Sequence, residues 1–117
     1  MNLRIVRIAD RGVPNQERLH LKASSKTDLC FFVVFDTVRT APDKVSVKPK
    51  NVHWFSSKVI DVGDSVVLYT GSGTPNETRN PDGSKNHFFY WGLSSTIWNA
   101  SESCAILLEI QNWETTA

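Results

Sequence analysis

The chain has 117 residues, 40% of them hydrophobic and 21% charged, with a formal net charge of +1. This is the composition of one ordinary globular domain, residues 1–117, long enough to bury roughly two-thirds of its unfolded surface without disulfide or metal staples. A balance this near neutral argues against a general polyanion binder, and no stretch approaches the ~20 apolar residues of a membrane span.

The charge is uneven along the chain. Residues 1–58 carry eleven Lys and Arg against five Asp and Glu, and residues 59–117 carry two against seven. The opening MNLRIVRIADR has neither the apolar run nor the small-residue cleavage site of a secretion signal, so a cytoplasmic protein is expected. The sequons Asn76-Glu77-Thr78 and Asn99-Ala100-Ser101 carry no meaning in such a compartment.

Strand patterns dominate from the start. LRIVRI at 3–8 reads as an opening strand. RLHLKA at 18–23 alternates, with Leu19, Leu21 and Ala23 on one side and Arg18, His20 and Lys22 on the other, as a half-buried strand does. LCFFVVF at 29–35 is apolar on both parities and predicts a strand covered on both faces. KVSVK at 44–48 alternates with its lysines outward, a common protection of a sheet edge, and VHWF at 52–55 predicts a short strand. SVVLYT at 65–70 follows the turn Val62-Gly63-Asp64. Residues 71–86, rich in Gly, Pro, Asn and Asp with almost no apolar anchor, predict a long mobile loop. HFFYW at 87–91 and SCAILLEI at 103–110 close the set. Short strands with regular turns and no helical periodicity predict an all-β two-sheet sandwich of about seven to nine strands. Its expected core is Leu19, Leu21, Phe32, Val34, Leu68, Trp98 and Leu107.

Taken in order and spacing, Gln16-Glu17 with the strand to Lys22, then Leu29, Phe32, Val34 and Asp36, then Val62-Gly63-Asp64 through Gly73, and last Trp91 to Trp98 with Ala105-Ile106-Leu107 resemble the lamin tail domain family, an immunoglobulin-like β-sandwich, and the chain reads as a stand-alone bacterial member. The resemblance covers roughly residues 3–113. Gln16-Glu17 followed by the alternating strand to Lys22 is similar to the family's Asn-Glu and strand. Leu29, Phe32, Val34 and Asp36 resemble its Leu…Trp-x-Leu-x-Asp strand, with Phe32 in the tryptophan's place. Val62-Gly63-Asp64 through Gly71-Ser72-Gly73 resembles its next segment, and Trp91 to Trp98, Asn99 and Ala105-Ile106-Leu107 its closing block. Ala23 departs from the family's Asn at that strand end, and Glu102-Ser103 from its Gly-Asp turn. The resemblance implies that the Trp98-Asn99 pair anchors the sandwich, and burial of so large an aromatic agrees with that. It also implies protein and DNA partners, since lamin tail domains are associated with both and bacterial ones often accompany nuclease or surface domains. The implied register puts Cys104 on the parity opposite Ala105 and Leu107. With a reducing compartment, Cys30 and Cys104 are therefore expected as free thiols.

No catalytic motif stands out. His20, His53 and His87 lack metal-ligand spacing, there is no Cys-x-x-Cys, and Asp36 and Glu102 have no evident acid–base partner, so no enzyme, metal or cofactor is expected. Two features rise above this background. If Ala105 and Leu107 face the core, then Cys104, Ile106, Leu108 and Ile110 face outward, and so apolar a face is covered by a loop or by another chain. Lys44, Lys48, Lys50 and Lys58 surround Trp54, which is either edge protection or a patch for nucleic acid. The leading expectation is a non-enzymatic module that binds a protein partner or associates with itself through a sheet face. The alternative is a nucleic-acid-binding module using the basic N-terminal half.

Overall fold

The computed structural model describes residues 1–117. Its strands are β1 (Leu3–Ala9), β2 (Arg18–Ala23), β3 (Thr27–Asp28), β4 (Phe32–Ala41), β5 (Lys44–Val45), β6 (Val52–Trp54), β7 (Val59–Ile60), β8 (Ser65–Tyr69), β9 (Asn76–Arg79), β10 (Lys85–Tyr90) and β11 (Ser103–Glu109). One sheet has the order β1-β2-β8-β10-β9. In the other, β4 is central, with β11 on one side and β6 and then β5 on the other. β3 and β7 form a separate two-stranded ribbon. The protein is an all-β sandwich, with seven strands of four or more residues and four shorter ones. No helix is long and apolar enough to cross a membrane.

The core lies between the two large sheets. Leu19, Leu21 and Ala23 from the inward parity of β2 meet Val66 and Leu68 of β8. Phe32 and Val34 of β4 and Leu107 of β11 close over them, and Trp98 is completely buried. All seven expected core residues are inside. Trp91 is half-buried, with its ring edge-on to Trp98 at 6.0 Å. Both thiols are free and half-buried.

Three local expectations need correction. Leu29–Phe31 is not strand but a single 3₁₀ turn, because the Asp28 carboxylate accepts the Cys30 N–H at 3.0 Å and caps it. The strand therefore starts at Phe32, and its outer parity, Val33 and Phe35, is only half-buried rather than covered by a second layer. The alternating segment 44–48 is strand only at Lys44 and Val45; Ser46 still donates its N–H to the Val38 carbonyl at 2.9 Å and accepts the Thr37 hydroxyl, and Val47 and Lys48 stand exposed.

The third correction concerns 71–86, which is not a loop throughout. Asn76–Arg79 is a strand, paired antiparallel with β10. Polar side chains hold this hairpin: Asn86 Nδ2 donates to Thr78 Oγ1 at 3.1 Å and to Asn80 Oδ1 at 2.9 Å. Asp82 accepts both the N–H and the hydroxyl of Ser84 in the turn. To reach β9 from β8 the chain crosses the end of β10, which lies parallel to β8 and between the two. Gly73 makes that crossing against the Tyr90 ring, where a Cβ would come within 2.4 Å of Cε1.

Candidate partner-binding face

Residues directly opposed across an antiparallel pair point to the same side of a sheet. In the four-stranded sheet Val33 is opposed to Trp54 on one side and Leu108 on the other, and Phe35 to Val52 and Ile106. These two rows lie on the face away from Phe32, Val34 and Leu107. The outer face is thus apolar across three strands. Phe31, Val52, Trp54 and Leu108 are 44–58% exposed on or beside it. The next row, Thr37 and Cys104, ends the patch, for Thr37 is buried and bonded to Ser46.

Two contacts give the face a rigid aromatic corner. The Trp54 indole N–H donates to the Cys30 carbonyl at 2.8 Å, which fixes the ring's orientation. Trp113, from the C-terminal segment, sets its ring at 85° to that of Trp54 at 5.6 Å and is itself 68% exposed. Aromatic rings held in place and half open to water are what apolar docking surfaces use, since little entropy is lost when they are covered.

Of the residues singled out in the sequence, Ile106 and Leu108 lie in these rows, Cys104 at their margin and Ile110 just past the strand. Trp54 belongs to the same face, across β4 from Leu108. Lys44, Lys48 and Lys50 are exposed and make no ion pair, whereas Lys58 is tied to Glu77 at 2.8 Å. That ammonium holds the Glu77 carboxyl below the usual carboxylate range.

Sequence reasoning missed two buried polar groups. The Glu17 carboxylate, 1% exposed, accepts the N–H groups of Gly12 (2.8 Å), Ile97 (2.8 Å) and Trp98 (3.1 Å) and the Thr70 hydroxyl (3.0 Å). It joins the loop after β1, the end of β8 and the segment before β11. The only sequence signal was its place before an alternating strand in the Gln-Glu pair. His87 Nε2 lies 2.9 Å from Asp64 Oδ2, both side chains being buried, and Asp64 also takes the N–H groups of Asp61 and Lys85. Bonds to His87, Lys85 and Asp61 keep the Asp64 carboxyl low against the opposing effect of burial. The cleft beside His87, lined by Lys58, Pro75, Asn76, Glu77, Phe88 and Phe89, contains no serine or cysteine to serve as a nucleophile. The cleft beside Asp36 contains Thr37, Lys50, Asn51 and Thr96, and one oxygen of the Asp36 carboxylate accepts the Asn51 N–H at 2.7 Å.

The chain matches no protein-family model and no curated protein sequence.

Proposed function

We propose that this chain is a non-enzymatic binding module whose outer four-stranded sheet face docks a protein partner, on a scaffold of the lamin tail type. One observation carries the reading: the contiguous rows Trp54–Val33–Leu108 and Val52–Phe35–Ile106, open to water on a face that no second layer covers. Contiguous exposed apolar patches with rigid aromatics are rare on chains that act alone, and they mark interaction surfaces. Trp98, the anchor that the lamin tail resemblance implies, is completely buried. The two free thiols suit a reducing, cytoplasmic setting.

The test is capture from native lysate with the wild-type chain, Leu108→Lys and the double variant Lys48→Glu/Lys50→Glu, followed by identification of what remains bound. A protein partner lost only with Leu108→Lys supports the face. Oligonucleotide that binds tighter than ~10⁻⁶ M at physiological salt, with a steep salt dependence removed by the double variant, would instead favour the nucleic-acid reading.

A further inference from the structure

The edges of both sheets are guarded, with one exception. β1 carries a bulge between Ile5 and Arg7 and two arginines, Arg4 and Arg7. β9 has only four residues, among them Glu77 and Arg79, and β5 and β6 are two and three residues long. Bulges, charge and shortness all discourage the addition of another strand. β11 has neither a bulge nor so short a length, and its one charge, Glu109, lies at its last position. It is seven residues long, regular in register, without Pro, Lys or Arg, and it pairs on one side only.

Its hydrogen-bond phase shows which groups are free. The Arg39 N–H bonds to the Glu102 carbonyl, and the Ile110 N–H to the Phe31 carbonyl, both at 2.7 Å. In an antiparallel ladder the bonded positions alternate, so the even-numbered residues of β11 turn their backbone groups to β4. The N–H and C=O groups of Ala105, Leu107 and Glu109 therefore point away from it, and no loop or inter-element backbone bond reaches them. At Ser103 the edge is already closed, because Arg11 Nη1 donates to its carbonyl at 3.0 Å and its N–H bonds to Ala100.

We infer that this free edge pairs with the same edge of a second copy, β11 against β11, antiparallel about a two-fold axis at Leu107. A row of backbone donors and acceptors at strand spacing is matched by another extended backbone. Centring on Leu107 uses all three free residues of each copy. Leu107 then faces the partner's Leu107 and Ala105 the partner's Glu109, with two backbone hydrogen bonds per pair. Charge selects the direction. Antiparallel pairing brings the partner's Glu109 next to the Ser103 position, where the Arg11 guanidinium sits. Parallel pairing would set Glu109 beside the partner's Glu109, which like charges disfavour. The two-fold contact closes on itself, removes the one unguarded edge and makes a single sheet of the two outer faces. The inference is independent of what docks on the face itself.

Sedimentation equilibrium of the full chain tests it. The wild type is expected to show a reversible dimer of twice the 13.2 kDa chain mass. Ala105→Pro removes an N–H that β4 does not use and should weaken the dimer at least tenfold. Glu109→Arg, an exposed change that puts like charge against Arg11, should do the same, and it decides the matter alone if circular dichroism shows that the proline variant has not folded. Leu108→Lys should leave the dimer within about threefold, because it alters the face and not the edge; a dimer lost with Leu108→Lys but indifferent to Glu109→Arg would overturn the edge and leave the face reading standing. A chain that stays at 13.2 kDa across the concentration range would also overturn it.

Discussion

Glu17 shows how much a single side chain organises here. Its two oxygens satisfy four donors from three separate segments, with Ile97 and Trp98 lying 80 and 81 positions away in sequence. Buried donors left without an acceptor cost about 1–3 kcal/mol each. Glu17→Ala should therefore lower unfolding stability by at least about 3 kcal/mol in urea titration, and Glu17→Gln by a comparable amount, since its amide nitrogen turns a donor toward donors. A loss under about 1 kcal/mol for both would remove Glu17 from this role. The hub was not legible in advance. A lone glutamate before a strand looks like a solvated residue, and its burial depends on two loops meeting from opposite ends of the chain.

Asp28 acts at the same scale with a pH signature. The Cys30 N–H, the Ser57 hydroxyl and the Lys58 N–H hold its carboxyl down at about 2, against 3.8 ordinarily. A depressed folded-state value means the contribution is complete above the unfolded value, near pH 4, and is lost as pH falls through about 2. Denaturant titrations between pH 5 and pH 2 should show a stability decline that Asp28→Asn flattens. An acid limb unchanged by that substitution would contradict the assignment.

At the scale of elements, legibility followed the hydrophobic period. RLHLKA was readable to its end residues because alternation and burial coincide in it. β9 was invisible because Asn76–Arg79 buries nothing; its pairing rests on backbone bonds and on the Asn80, Asn86 and Thr78 side chains, to which a hydrophobic pattern is blind. The outer face was half legible. The outward parity of β11 could be read, but the contributions of β4 and β6 depend on register, which sets Trp54 opposite Val33. The crossing at Gly73 yields a sharp expectation, because the Tyr90 ring it meets is stacked on Tyr69 at 5.2 Å and cannot move freely. Gly73→Ala should cost about 1–3 kcal/mol, the range for overpacking. Much of that loss should vanish when it is measured in a Tyr90→Ala background, and full additivity in this double-mutant cycle would show that the ring is not the obstacle.

At the scale of the whole molecule, the sandwich separates two apolar surfaces by one sheet. Phe32, Val34 and Leu107 are sealed in the core, while Val33, Phe35, Ile106 and Leu108, one residue out of phase, line a face that water still reaches. Substitutions on the two parities should therefore behave differently: inward ones unfold the chain, outward ones leave it folded and change what it holds. The most direct measurement is the Ile106→Lys variant, followed by thermal melting and by retention of the partners captured by the wild type. The account predicts a folded chain destabilised by no more than about 1 kcal/mol, a shift of roughly 4 °C for a chain of this size, with retention abolished. A variant destabilised by about 3 kcal/mol would mean that Ile106 is part of the molecule's own packing. One that melts like the wild type and keeps every partner would contradict the central claim that this face is where the protein binds.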